Sequence, residues 1–194
     1  DFTSVGLLPA HQRGAADLTL NVRAINDAGA FTPELLASAG ALEVGTGALI
    51  AGEPGARLSL NSDTRLWVNG GLSAPGGSLD LTLTGEIKGS KLVSFLAAQT
   101  LWLGPQASLS APAVFTPEPG QSGLLAGRLL HGGSIKVSAV SGYLVAEAGS
   151  LLDVHAVSSL LDILPGGALP SARERRLVGS NAGNITLQAA EGLL

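Results

Sequence analysis

The sequence predicts an all-β fold, a β-solenoid of stacked strand-and-corner units carrying short helical or loop insertions. Three observations predict it. The first is a recurring two-residue period. In 132–154, GGSIKVSAVSGYLVAEAGSLLDV, the apolar Ile135, Val137 and Ala139 alternate with Lys136 and Ser138, so each set takes its own face of a strand. Leu144 and Ala146 carry the alternation on toward Gly149. The second is the residue type at the breaks: Gly132, Gly133, Ser141 and Gly142 are suited to tight corners. The third is composition. With 27 Gly, aromatics at 4% and neither Cys nor Met, the interior must be built from aliphatic and small side chains, which suits a narrow, regularly stacked core. Two short strands with one apolar face are not stable alone, so each unit needs a similar unit against it.

In chain order, ADLTLNV places Leu18, Leu20 and Val22 on one face. Thr32, Pro33 and Glu34 read as an N-cap, a first-turn proline and an early acid, predicting a short helix through Leu35 and Leu36 that ends near Gly40. The pieces LEVGTGALI, ARLSLNS, RLWVNGGL and GGSLDLTLTG then follow with Gly, Asn or Pro-Gly at their breaks. The alternating pieces beginning near Leu18, Leu58, Leu79, Ile135 and Ile185 read as five copies of one strand, separated by 40, 21, 56 and 50 residues. The first two separations fit two units and one unit of roughly 20 residues, within the solenoid range. The later two need insertions, for which the Pro- and Gly-rich 112–127 and the segment 157–176 are the candidates. Val157, Leu160, Leu161 and Leu164 have helical spacing before Pro165, and 91–99 is a weaker helical stretch. A leucine-rich repeat would require an L-x-x-L-x-L-x-x-N frame, and that frame does not recur.

Charge excludes several classes. The net charge is −4, charged residues make up 13%, and the 11 Lys and Arg form no long stripe, which argues against nucleic acid. The absence of cysteine excludes a disulfide framework and a thiolate metal site. No apolar run reaches the roughly 20 residues of a membrane helix. The opening DFTSVGLLPA has neither an initiating Met nor a basic n-region, so the chain 1–194 reads as one segment of a longer protein.

The runs LSAPGGSLDLTLTG, TLWLGPQASLS, LLHGGSIKVSAVSGYLVAEAGSLLDVHA and GSNAGNITLQAAEGLL resemble the repetitive shaft of filamentous-haemagglutinin-like exoproteins, large adhesins exported by two-partner secretion. The resemblance covers most of the chain from about Leu42 onward. It implies a right-handed parallel β-helix, export across a Gram-negative outer membrane by a partner transporter, and an adhesive role at the cell surface. The asparagine-containing recognition motif of that family's secretion domain is not found, so an interior shaft segment is expected. Transporter contact would then fall outside this chain, and the expected partner is a host or bacterial surface glycan or protein.

Candidates for chemistry are few. Trp67 lies between Leu66 and Val68, and Trp102 between Leu101 and Leu103, so inward aliphatics would send both indoles outward. In one column they would form an aromatic strip for a sugar or protein partner; the plainer reading has them cover a loop or an edge. Tyr143 has less predictable phase and stays out of that column. His11, His131 and His155 share no metal-ligand spacing, and no cofactor is expected. Asp80, Glu86, Asp153, Asp162 and Glu174 raise the alternative of a carbohydrate-active β-helix enzyme, a lyase or a glycosidase, which would need opposed carboxylates or an acidic calcium cluster. The SARERR cluster at 171–176 reads as a solvated loop, or as a contact for an acidic glycan. The expected function is a non-catalytic structural and adhesive shaft, with a toxin-delivery stalk as a further alternative.

Overall fold

The computed structural model describes residues 8, 12–23, 40–84, 99–118, 123–164, 173–190 and 192–193, and every regular element among them is a strand. The chain opens with β1 (Leu18–Val22), β2 (Leu42–Val44) and β3 (Leu49–Ala51). A second round follows as β4 (Arg57–Ser62), β5 (Arg65–Val68) and β6 (Gly71–Ser73), and a third as β7 (Ser78–Leu83), β8 (Thr100–Leu103) and β9 (Ser108–Ser110). After β10 (Val114–Glu118) and β11 (Ala126–Leu130) come β12 (Ser134–Ala139), β13 (Tyr143–Ala146) and β14 (Leu151–Asp153). Finally β15 (Ser158–Ile163) and β16 (Glu174–Gly179) precede β17 (Asn184–Ala189) and β18 (Gly192–Leu193).

Three parallel sheets collect these strands in the same sequence each time. Sheet A has the order β1-β4-β7-β12-β17, sheet B β18-β13-β8-β5-β2, and sheet C β14-β9-β6-β3. Alternation in the sequence is what makes this work. Along β4 and β7 every second residue is buried, so each strand has an inner and an outer row. Register then places like over like: Leu18 pairs with Leu58, Leu58 with Leu79, Leu79 with Ile135, and Ile135 with Ile185. These are the five strand copies expected from the sequence. Leu58, Leu79 and Ile135 are 2%, 0% and 1% exposed. Inner rows from all three sheets meet in one core, with Leu60 and Leu81 from sheet A, Leu66, Leu101 and Leu144 from sheet B, and Leu72 and Leu109 from sheet C.

Two expectations are corrected. The 40 residues between Leu18 and Leu58 were expected to make two rounds, but β1 pairs directly with β4, so they make one. The helical spacing of Val157, Leu160, Leu161 and Leu164 does not give a helix: β15 pairs antiparallel with β16, Leu160 opposite Leu177 and Leu161 opposite Arg176. An isolated helix of about eight residues is marginal in water, whereas a facing strand gives each residue of β15 a partner. The segment 112–127 overlaps a second antiparallel hairpin, β10 with β11. The helices expected near 32–40 and at 91–99 lie outside the described residues, except for their last positions, Gly40 and Gln99. No helix among the described residues is long and apolar enough to cross a membrane.

The corner from sheet C to sheet A sets how closely rounds stack. Ser78 donates its N–H to the Ala56 carbonyl, Ser134 to Gly77 and Asn184 to Gly133, at 2.9, 3.0 and 3.0 Å. A Cβ on Gly77, Gly133 or Gly183 would strike the carbonyl oxygen of the round beside it, Ala56, Gly77 and Gly133 respectively. Only glycine fits where backbone rests on backbone. Gly133→Ala is therefore expected to cost about 2 kcal/mol or more, and the core truncation Leu81→Ala about 2–5 kcal/mol. Denaturant midpoints measure both; an unchanged midpoint for Gly133→Ala would contradict the stacked corner.

Candidate functional site

The outward faces of sheets A and B and one lateral projection carry most of the candidate side chains. On sheet B, inward Leu66 and Val68 turn Arg65 and Trp67 outward, and inward Leu101 and Leu103 do the same for Thr100 and Trp102. Trp67 and Trp102 are register partners on neighbouring strands. Their rings meet edge to face, with centroids 6.4 Å apart and planes at 74°, an arrangement aromatic quadrupoles favour. The Arg65 guanidinium lies 5.2 Å over the Trp67 ring. The Trp102 indole N–H donates to Glu147 Oε1 at 2.8 Å. Glu43 is the register partner of Trp67 on the other side. Both indoles are half-buried, so each shows part of its surface while its remaining edges are engaged by its own neighbours.

Tyr143 belongs to this face too. It is the register partner of Thr100, which is itself the partner of Arg65, so it stands one column from the tryptophans. The signal was present in the sequence: with Leu144 inward, both of its neighbours must face out.

Sheet A displays a polar face. One outward column runs Thr19, Ser59, Asp80, Lys136, Thr186, and the next Asn21, Asn61, Thr82, Ser138, Gln188, of which Ser138 is buried. A third holds Arg57, Ser78, Ser134 and Asn184. The columns bond along their length, since Asn61 Nδ2 donates to Asn21 Oδ1 at 2.9 Å and Arg57 Nε to Ser78 Oγ at 3.2 Å.

The lateral projection is made by the two hairpins. Both β10–β11 and β15–β16 leave after a sheet C strand and return into a sheet A strand, so they emerge from the same corner one round apart. Asp162 ties them together. Its backbone N–H donates to the Leu125 carbonyl at 2.9 Å, and its Oδ2 accepts the Leu125 N–H at 2.8 Å. Arg175 grips the same carboxylate with Nε at 2.9 Å and Nη2 at 3.1 Å. The Arg175 hydrogen bonds, then the Leu125 N–H, hold the Asp162 carboxyl below its ordinary value of 3.8.

Among the described residues, the candidate acids of a carbohydrate-active enzyme do not converge. Asp80 lies on sheet A beside Ser59 and Lys136, and Asp153 lies on sheet C beside Ser110. Asp162 and Glu174 stand opposite Arg175 and Ile163, which puts them on opposite faces of their hairpin. Asp153 accepts from the His155 ring at 2.8 Å and from the His155 N–H at 3.0 Å; the ring contact and then the backbone contact lower its pKa. Glu174 is paired with Arg176 at 2.6 Å. Glu86 and His11 lie outside the described residues. His131 Nδ1 accepts the Asn181 N–H at 3.0 Å, a structural bond between segments 50 residues apart. From 171–176, Arg173 donates to the Asp162 carbonyl at 3.3 Å, so the three arginines of that cluster all bond within their own hairpin. Among the described residues no group of three or more His, Asp or Glu is placed to hold a metal ion.

Asp162 generates a pH prediction. Its folded pKa is lowered, so its contribution is present above 3.8 and is lost as pH falls through the folded value. The stability difference between the parent chain and Asp162→Asn is expected to be constant near neutral pH and to shrink below about pH 4. Amide exchange at Leu125 should quicken in the variant; a pH-independent difference would contradict the tie.

Comparison with protein-family models, with curated proteins and with solved structures yields no match to this chain.

Proposed function

We propose that this chain is a shaft segment of a secreted cell-surface exoprotein of the filamentous-haemagglutinin-like kind, structural and adhesive and without catalysis. The observation that carries the reading is the sheet A face. Five strands in register present hydroxyl, amide and a few charged side chains in columns, with Asp80 beside Lys136, and none of the described candidate acids shares a face with another. A hydrolase or lyase needs opposed carboxylates or an acid cluster in a groove, whereas a rod needs a regular, well-solvated exterior.

In this proposal the three sheets close into a right-handed parallel β-helix. Support comes from the repeated passage A, B, C and back to A, because crossovers that return a strand to the same parallel sheet are right-handed in about 98% of cases. Each round satisfies the backbone groups of the next. The shaft then works by presentation, holding the polar face and the hairpin projection away from the cell, where loops and hairpins make contact. The partner is a glycan or protein of a host or bacterial surface. Export occurs through a Gram-negative outer-membrane transporter that engages regions outside this chain.

Two measurements test the reading. Incubated with neutral and uronic-acid polysaccharides, the chain is expected to bind cell surfaces while releasing neither reducing ends nor unsaturated products; product release would overturn the non-catalytic assignment. On a glycan array, Trp67→Ala and Trp102→Ala are expected to retain binding, since each indole already engages Arg65, Glu147 or the other ring. Loss of binding in both, with the fold intact by circular dichroism, would move the contact to the aromatic strip.

A further inference from the structure

Three arginines stand within four positions at 173–176, R-E-R-R, and Arg175–Arg176 is the one place in the 194 residues where two basic residues adjoin. The pair lies on β16, in the hairpin that projects beside the stack. Five of the six residues of β16 are exposed, Val178 being the exception. The Arg175 and Arg176 side chains are 54% and 59% exposed, and Leu177, at 69%, is the most exposed large hydrophobic described. Charge at three of six positions is the composition of a strand whose edge is left to water, so the openness of β16 is a property of its own residues. Strand pairing with β15 and the grip of Asp162 on Arg175 hold it in place. The buried core lies in sheets A, B and C, and no residue of β16 belongs to it. A two-stranded hairpin is marginal by itself, so β16 can peel from β15 while the stack stays folded, a local opening that costs less than global unfolding.

We propose that Arg173–Arg176 is a processing site, at which an endoprotease with acidic subsites for paired arginines hydrolyses the Arg176–Leu177 bond. An extended segment is taken up by main-chain pairing along one edge, with alternate side chains entering pockets, and carboxylates in those pockets bind guanidinium groups in bidentate fashion. Arg175 then exchanges the Asp162 carboxylate for one on the protease. Water adds across the amide: its hydroxyl goes to the Arg176 carbonyl carbon, and the C–N bond breaks as the Leu177 nitrogen takes up a proton. Arg176 ends as a free carboxylate and Leu177 as a new amino terminus. Both products stay in place, because Leu177–Gly179 remain opposite Ser158–Leu160 while β17 lies on β12 and β18 on β13. The result is a nicked chain whose stack is whole. The inference concerns the hairpin alone and does not depend on the adhesive reading.

Digestion of the folded 194-residue chain with a subtilisin-fold endoprotease selective for paired arginines tests it, with products read by mass spectrometry. The expected result is one cut, giving a piece that ends at Arg176 and one that begins at Leu177, which elute together with an unchanged circular dichroism spectrum. Arg175→Gln and Arg176→Gln are expected to abolish the cut, and Asp162→Asn to speed it several-fold by releasing Arg175. The core variant Leu81→Ala separates local from global opening. If β16 opens alone, the cutting rate is unchanged in that variant; if the whole chain must unfold, the rate rises by about 30-fold or more. Circular dichroism and denaturant midpoints check that every variant is folded. Resistance of the folded parent chain under conditions that cut the urea-unfolded chain would overturn the proposal, as would a cut that persists in Arg176→Gln. A rate that follows Leu81→Ala, or pieces that separate after the cut, would overturn it too.

Discussion

The structure depends on one constraint, the fixed spacing of about 4.8 Å at which parallel strands hydrogen-bond to one another. Once a round is laid on the last at that spacing, every side chain lies over its counterpart, and the sequence must tolerate this at each position. Inside, tolerance means aliphatics over aliphatics: Leu60 on Leu81 on Val137. At the corner it means glycine over glycine, because the carbonyls of Gly77 and Gly133 occupy the space a side chain would take. Outside, it means short polar groups that bond to their own kind, as Asn61 does to Asn21.

The same constraint orders the exterior. A residue's column follows from its strand phase, which is why two tryptophans 35 positions apart in sequence meet edge to face and why Arg65 reaches the ring of Trp67. Insertions that leave from equivalent corners must also come out one above the other. The hairpins β10–β11 and β15–β16 do so, and the carboxylate of Asp162 turns that proximity into a specific bond to Leu125. A projection held to the stack at its bases and to its neighbour through a charge-assisted contact is stiffer than either hairpin alone.

Much of this was legible in the sequence, for a physical reason. The inner row of a half-buried strand has period two, and in five places that row begins with Leu or Ile flanked by Ser, Thr, Asn, Asp, Lys or Arg. Leu18, Leu58, Leu79, Ile135 and Ile185 could therefore be aligned before any contact was known. The outward placement of Trp67 and Trp102 follows from the same phase. The number of rounds was less legible, because a separation of 40 residues does not say whether it holds two units or one unit and an insertion. The segment 157–164 misled because Val157, Leu160, Leu161 and Leu164 satisfy a helical spacing by position alone. What decides it is the facing strand 174–179 and the grip of Arg175 on Asp162, and both are long-range. The bond from the Asn181 N–H to His131 was hidden for the same reason.

The in-register parallel stack is most directly tested by cysteine pairs, which this cysteine-free chain accepts without background. A disulfide requires Cα atoms about 4.4–6.8 Å apart. Cysteines at Ser59 and Asp80, or at Asp80 and Lys136, are register partners on neighbouring strands and should cross-link under mild oxidation. Cysteines at Ser59 and Thr82 share the face but are displaced by two residues, and should not. Efficient bridging of the displaced pair, with failure of the two aligned pairs, would contradict the stack on which the core and the polar face rest.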